Sequence, residues 1–405
     1  MSLTDTDLLP RLAEAVGGAA RDGLESDRVG GMRPRWVASP TDEAGVSALL
    51  RVADEKGLAV VPRGSGSKLS WGADPERLDV VLDLSGLDRL VEHAAGDLIA
   101  VVGAGRPLDA LQRDLASAGQ WLAVDPARRG TVGGLVATAT TGPTRLLHGP
   151  VRDLVIGATM VRADGVVARS GGKVVKNVAG YDLGKLLTGS YGTLGVITQV
   201  AVRLHPLPEA SRWVTVPVAS SAHAADLVQR VIHSHLVATA VELDHPGEGG
   251  ADASLAVRLD GIAPGVAART EGALALLGEK ATDAGEAPPW WGSEPAGEVL
   301  LKITHEVASL ATALDAAAGL ALRGSAAVGT LYASCSAPQL APVLARLREA
   351  APRFGGAVVV LDAPSGAKAG VDLWGPVRGL DLMRRVKDRF DPSRVLAPGR
   401  FVGGI

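Results

Sequence analysis

Glycine constrains this chain more than any other residue. Its 405 residues include 51 glycines, many gathered in four groups between residues 62 and 198. The first, Pro62-Arg63-Gly64-Ser65-Gly66-Ser67-Lys68, follows the apolar run Leu58–Val61, which has strand character. The second opens as Thr131-Val132-Gly133-Gly134-Leu135-Val136-Ala137-Thr138 and continues to Thr140-Thr141-Gly142. The third, Gly149-Pro150-Val151-Arg152-Asp153, enters a strand, and the fourth spans Thr188 to Thr198. Consecutive glycines and serines let backbone N–H groups converge on an anion with no side chain in the way. One flexible loop is ordinary, whereas four imply a shared, backbone-lined ligand site. The common nucleotide fingerprints fail. Leu69 stands where Gly64-x-Gly66 would need its third glycine, and no Gly-Lys pair is followed by Ser or Thr.

Charge and cysteine content narrow the function. Lys plus Arg total 41 against 44 Asp plus Glu, for a net charge of -3, and no basic run exceeds two residues, so a nucleic-acid partner is not expected. The single cysteine, Cys335, cannot form an intrachain disulfide, a four-thiolate zinc site or an iron–sulfur cluster, and reads as a small buried hydrophobe. A hydrophobic content of 47% excludes disorder. Acids occupy the first residues where a signal peptide would be basic, and Asp315 and Arg323 interrupt the longest Ala-rich stretch, so neither a leader nor a transmembrane segment is expected.

Short strands punctuated by glycine, with few long helices, predict an α+β fold. Leu8, Leu9, Leu12 and Val16 share a face of an N-terminal helix that Thr4 or Asp5 could cap. A second helix opens at Thr41-Asp42-Glu43 and stops at Gly57. His205-Pro206-Leu207-Pro208 marks a boundary, beyond which strands and helices alternate as in a split βαβ, ferredoxin-like unit. The expected organisation is an N-terminal helix and linker (1–30), a ligand domain (31–207), a smaller α+β cap (208–390) and a tail (391–405). No internal repeat is legible.

The order PRGSGSK, TVGGLVATATTGPTRLLHGPVRDLVIG, KNVAGYDLGKLLTGSYGTLGVIT resembles the PCMH-type FAD-binding domain of the vanillyl-alcohol oxidase superfamily. Within it, the chain is similar to the FAD-binding subunits of bacterial glycolate oxidases. Val371-Asp372-Leu373-Trp374-Gly375-Pro376, Phe390-Asp391-Pro392 and Pro398-Gly399-Arg400 carry the likeness to the C-terminus. The resemblance implies two α+β subdomains clasping FAD, followed by a ferredoxin-like cap. It places Pro62, Arg63, Gly64, Ser65, Gly66 and Ser67 around the pyrophosphate. Thr131, Gly133, Gly134, Thr141 and Gly142 would follow the ribityl–pyrophosphate path. Gly192, Gly195, Val196 and Ile197 would face the adenine and flavin, and Arg152 completes the cofactor-binding set. With neither His nor Cys near the first loop, FAD is expected to be non-covalent; His148 is either a tether or a structural histidine.

Departures from the family matter as much. His233, His235 and Glu242 lack a clear third ligand, and Ser309 breaks any zincin motif after His305-Glu306, so no metal is expected. Ala397 precedes Pro398-Gly399 where relatives commonly carry Asn. Arg400 is either a charge beside the flavin or substrate carboxylate, or a surface ion pair. Lys176 and Asn177 could stabilise reduced flavin, while Asp182 could cap a helix and Tyr181 pack beside it. No general base stands out. The resemblance implies an FAD-dependent oxidoreductase subunit acting on a small 2-hydroxy acid such as glycolate or D-lactate, passing electrons to a second flavoprotein and an iron–sulfur subunit. Trp290-Trp291 is either a docking patch or a packed pair. A self-sufficient 2-hydroxy-acid dehydrogenase and a non-catalytic assembly subunit with a structural flavin are the alternatives; a nicotinamide enzyme is more distant. The expected location is cytoplasmic, or peripheral at the inner membrane face through partners.

Overall fold

The computed structural model describes residues 5–172, 181–247 and 253–405. The N-terminal layer begins with α1 (Asp5–Ala15), which turns Leu8 and Leu12 inward together with Val16. It continues through β1 (Ala20–Asp22), β2 (Trp36–Ala38), α2 (Glu43–Lys56), β3 (Val60–Arg63) and β4 (Val80–Asp83). The sheet order is β1-β2-β4-β3, with β1 antiparallel to β2 and β2 and β3 each parallel to β4. At the start of α2 the Asp42 carboxylate accepts the Gly45 amide at 2.8 Å, and Gly57 ends the helix at φ 64°. Residues 5–22 are built into this layer. β1 is its edge strand, and Leu12 joins the core of Trp36, Val60 and Leu82.

The second layer contains β5 (Leu90–Ala94), β6 (Ile99–Gly103), α3 (Leu108–Ala116) and β7 (Gln120–Trp121). Three short helices follow: α4 (Val132–Ala137), α5 (Arg145–His148) and α6 (Val151–Leu154). Then come β8 (Val155–Val161), β9 (Val167–Gly171), α7 (Leu183–Leu187), β10 (Val196–Arg203) and β11 (His205–Pro206), which pairs with β7. The antiparallel sheet runs β5-β6-β10-β8-β9 and packs on Leu108, Leu111 and Leu115 of α3 and Leu135 of α4. A glycine-rich connection thus leaves the end of β3 in one layer and faces α4 in the other.

The cap departs from expectation in size and in repetition. Its first unit is β12 (Ala210–Val218), α8 (Ser221–Ile232), β13 (Ala240–His245), β14 (Ala253–Gly261), α9 (Ala263–Leu277) and β15 (Thr282–Asp283). The second is β16 (Val299–Thr304), α10 (Leu310–Ala316), β17 (Ala321–Ser325), β18 (Thr330–Cys335), α11 (Leu340–Ala350) and β19 (Ala357–Asp362). Each is a βαββαβ unit, and the combined order β15-β12-β14-β13-β17-β18-β16-β19 is the ferredoxin-like arrangement twice over, joined at β13 and β17. This eight-stranded sheet is the largest in the protein, not a smaller appendage. The two units share order but no legible sequence pattern, which is why the repeat escapes sequence reading.

Strand alternation gives the cap sheet two chemically distinct faces. Val241, Leu243, Val257, Leu301, Ile303, Leu331 and Ala333 pack under the helices together with Cys335. Their neighbours Glu242, Asp244, Lys302, Arg323, Ser325, Thr330 and Tyr332 lie on the opposite face.

After β19 come α12 (Ser365–Lys368) and α13 (Leu380–Phe390), and the chain recrosses to the N-terminal layers before residue 391. Val386 and Phe390 pack on the second-layer core. Fully buried Lys387 Nζ donates to Asp391 at 2.6 Å, to the Thr193 carbonyl at 2.8 Å and to the Leu396 carbonyl at 2.9 Å. Asp391 in turn accepts the amides of Val395 and Leu396. The tail then lies beside β3, where the Val60 amide donates to Val395 and the Ala397 amide to Val60. Removing one partner of a buried pair leaves the other charge uncompensated. Asp391→Ala is therefore expected to cost about 3–5 kcal/mol in urea unfolding. Arg230→Ala, which breaks only an exposed pair with Asp226, should stay within about 0.5 kcal/mol of wild type.

Candidate functional site

A cleft of about 770 Å³ lies between the two N-terminal layers. The first loop contributes Pro62, Arg63, Gly64, Ser65, Gly66 and Ser67; α4 and its cap contribute Thr131, Gly133 and Gly134; the fourth group contributes Gly192, Gly195 and Ile197. The amides of Gly64, Ser65, Gly66 and Ser67 find no acceptor among the described residues. The loops approach so closely that side chains are excluded. A Cβ on Gly64 would fall 2.1 Å from Thr131 Oγ1, and one on Gly133 would fall 2.5 Å from Ala104 Cβ. Gly192 has φ 74° against Pro62, a conformation that disfavours any other residue.

Other expected site residues are already paired or lie elsewhere. Arg63 lines the cleft, but its guanidinium binds Asp27 at 2.9 Å and Asp83 at 2.7 Å, so its charge is already met. Thr141 and Gly142 line a second cavity. Val196 is fully buried in the first-layer core, and Arg152 is exposed on α6, its carbonyl accepting Lys185 Nζ. Lys176 and Asn177 fall outside the described residues. Asp182 caps α7 through the Lys185 amide at 3.2 Å, whereas Tyr181 is exposed and does not pack. His148 lies outside the cleft, its ring 4.5 Å from His205 and edge-on to Trp121, and burial holds it down to about 4. Among the described residues no cluster of His, Cys, Asp or Glu could hold a metal.

The cleft also takes residues that sequence reasoning missed or misplaced. Lys68 ends the first loop, is nearly buried, and donates to the Arg128 carbonyl at 2.7 Å; burial pushes it down to about 8. Leu84 and Ala104 follow strand ends with no local signal, whereas Ala137, Thr138 and Tyr191 belong to the second and fourth glycine groups but were not singled out there. Arg400 is no surface residue: it is 5% exposed, lines the cleft, and donates to the carbonyls of Leu69 (2.5 Å) and Trp71 (2.7 Å). Burial lowers it to about 10.

The second cavity, of about 580 Å³, opens between the N-terminal half and the polar face of the cap sheet. Trp71, Arg128 and Arg145 wall it from below, and Glu242, Arg323, Ser325 and Tyr332 from above. Two arginines are neutralised: Arg128 binds Glu294 (2.7 Å) and Asp362 (2.5 Å), and Arg323 binds Asp244 (2.7 Å) and Ser293 (2.5 Å). Ser293 and Glu294 arrive on the loop after Trp290-Trp291. That half-buried pair packs on Trp213 and under Arg323, which makes it an anchor for the loop rather than an exposed patch. The Arg145 guanidinium has no hydrogen-bond or ion-pair partner among the described residues. Opposite it, burial drives Glu242 up to about 8, against a hydrogen bond from Ser325 and with Asp125 adding like charge. Burial also raises Tyr332 to about 12 and lowers Lys302, its cross-strand neighbour. An unpaired cation beside a carboxyl group that titrates near neutrality can seat a small carboxylate and exchange a proton with it.

Comparison with known proteins identifies the cofactor. Residues 34–171 match the FAD binding domain family, and residues 373–401 match the C-terminal domain of FAD linked oxidases. The chain is 34% identical over 216 residues to glycolate oxidase subunit GlcD of Bacillus subtilis, covering 53% of this chain and 46% of that one. It is 39% identical over 155 residues to glycolate oxidase subunit GlcE of Escherichia coli, covering 38% and 44%. Each match thus spans under half of the relative. The crystal structure of p-cresol methylhydroxylase with substrate bound superposes with a TM-score of 0.75 at 16% identity, over 98% of this chain and 97% of that one. The α+β fold is of this type, and the cofactor is FAD. Four free amides, and close approaches at Gly64 and Gly133 that exclude side chains, suit a pyrophosphate held by backbone donors.

Two expectations follow from this geometry. At Gly134 an added Cβ would meet only Thr131 Oγ1, at 3.1 Å, so Gly134→Val should fold yet lose FAD, read from flavin absorbance per chain. Gly133→Val should lower the unfolding midpoint as well, because it collides with Ala104. Glu242 ionises near 4.5 in an unfolded chain and near 8 here. Its contribution is therefore fully present below pH 4.5 and is lost as pH rises through about 8. Glu242→Gln should narrow the gap between melting temperatures measured at about pH 5 and about pH 8.

Proposed function

Because the chain belongs to the PCMH-type FAD-binding flavoproteins, we propose that it oxidises a small 2-hydroxy acid in the second cavity, as the FAD-binding subunit of a glycolate-oxidase-like dehydrogenase. The observation that carries this reading is Arg145, a guanidinium without a partner among the described residues, which lines the same cavity as Glu242. Bound FAD supplies the two-electron acceptor chemistry. The amides of residues 64–67 hold the pyrophosphate, and Arg145 seats the substrate carboxylate through charge-assisted hydrogen bonds. Glu242 accepts the hydroxyl proton at its carboxylate, and Ser325, which donates to it, fixes its orientation. Arg128 and Arg323, already paired with carboxylates, close the cavity walls without adding free positive charge, which favours a monocarboxylate.

The relatives named as glycolate oxidase subunits support a multi-subunit assembly. We assign electron transfer onward to a second flavoprotein and an iron–sulfur subunit. The lone Cys335 is buried in the cap core, so a cluster would have to belong to a partner. No helix among the described residues is long and apolar enough to cross a membrane. We place the protein in the cytoplasm, or at the inner membrane face through its partners. One observation favours self-sufficiency: the carboxylate seat and the proton acceptor both lie within this chain.

Anaerobic addition of glycolate or D-lactate to the purified flavoprotein should bleach its flavin band. A band unchanged by either acid would support the assembly-subunit alternative. Arg145→Met should raise the half-saturating acid concentration about 10- to 100-fold at unchanged flavin content. In the wild type, the bleaching rate should climb as pH approaches 8 and Glu242 ionises; Glu242→Gln should be slow at every pH.

A further inference from the structure

Among the described residues lining the FAD cleft, Arg63, Lys68, Tyr191 and Arg400 can titrate. Three of them keep one charge state across the physiological range. Arg63 is paired with Asp27 and Asp83, burial keeps the Tyr191 phenol neutral, and Arg400, lowered to about 10, stays a cation. Lys68 is the exception. Burial pushes its ammonium down to about 8, against the pull of Glu294 and with Arg128 acting in the same direction as burial.

Its position is set by the first loop. Lys68 follows directly on the free amides of residues 64–67 and is only 9% exposed. Nζ donates to the Arg128 carbonyl at 2.7 Å and reaches Ser67 Oγ at 3.5 Å, so one of an ammonium's three donors is left over. Two hydroxyls and the ammonium converge on Gly130. A Cβ there would lie 2.7 Å from Ser67 Oγ, 3.2 Å from Ser65 Oγ and 3.6 Å from Lys68 Nζ. The other two nearly buried lysines each have a carboxylate, Lys387 with Asp391 at 2.6 Å and Lys368 with Asp74 at 3.7 Å. Lys68 has none within ion-pair distance among the described residues, because Glu294 is taken by Arg128. A desolvated cation of this kind is costly until an anion arrives.

We infer that Lys68 carries the exchangeable charge of the cleft: its ammonium balances one negative charge of bound FAD, and cofactor binding draws a proton from solvent onto Nζ wherever the amine was neutral. A dianionic pyrophosphate at residues 64–67 favours the protonated form of an amine on the same loop. The backbone amides supply direction, and Lys68 supplies net charge. The inference rests on placing the pyrophosphate at that loop and is independent of the substrate reading of the second cavity.

The test strips FAD from the purified chain and follows its rebinding by FAD fluorescence, with proton uptake read by a pH indicator in weak buffer. Below about pH 8 the amine is already protonated and affinity is level; above it the proton must be supplied on binding, and affinity falls by up to about tenfold per pH unit. Wild type should therefore bind FAD about tenfold more weakly at about pH 9 than at about pH 7, and take up most of one proton per FAD at the higher pH. Lys68→Met should bind about 10- to 100-fold more weakly than wild type at about pH 7, with no pH dependence over this range and no proton uptake. Lys68→Arg, always charged, should bind tightly at both pH values, also without uptake. A wild-type affinity that stays level, or a fall that persists in Lys68→Met, would overturn the inference. So would equal weakening in the Met and Arg variants, which would make Lys68 a packing residue. If Gly134→Val also leaves FAD affinity untouched, the ligand reading of the cleft fails and the role of Lys68 with it.

Discussion

Lys387 and Asp391 meet at 2.6 Å with neither side chain exposed, and a pair so placed is tolerable only if its remaining donors and acceptors are also met. Here they are. Two carbonyls and two amides complete the set, and they come from two separate segments: the Thr193 carbonyl from the fourth glycine group, and the Leu396 carbonyl with the Val395 and Leu396 amides from the tail. The pair thereby fixes α13 to the second layer and the tail to β3. That placement delivers Arg400 to the cleft and, through Arg400, holds the segment that carries Trp71. A single desolvated ion pair far along the chain sets the geometry of a loop more than three hundred residues earlier.

The two cavities follow opposite electrostatic plans. In the cleft, backbone amides line the space, the nearest guanidinium in the first loop is paired with Asp27 and Asp83, and Lys68 and Arg400 are spent on carbonyls. In the second cavity, charged side chains dominate, and all but one cation are balanced by local carboxylates. A near-neutral chain can hold a dianionic pyrophosphate in this way, because partial charges on amides do the work that a basic patch does elsewhere.

How much of this was legible in the sequence depends on whether the signal is local. The first, second and fourth glycine groups announced themselves because backbone approach excludes side chains, and twelve of the residues they implied line the cleft. Thr141 and Gly142 were misplaced by one cavity because the second group is long enough to span both. Arg152 follows a loop of the same appearance but points to solvent. The second cavity left almost no trace. Arg145, Glu242, Tyr332 and Trp71 come from four separated elements; the sheet register pairs Glu242 with Ser325 and Arg323 with Tyr332, while Arg145 and Trp71 reach the cavity from outside the sheet. For Arg400 a charge beside the flavin or substrate and a surface ion pair were both open in the sequence; its burial follows from the tail's pairing with β3.

The joint between β13 and β17 has a consequence of its own. Two topologically equivalent halves meet there back to back, yet the joint lies over the cavity, so Glu242 comes from one half and the Ser325 hydroxyl that donates to it from the other. Neither half alone roofs the cavity with both residues. Asymmetry at one seam turns a duplicated scaffold into a single chemical surface, and each half can vary its outer strands without disturbing the centre.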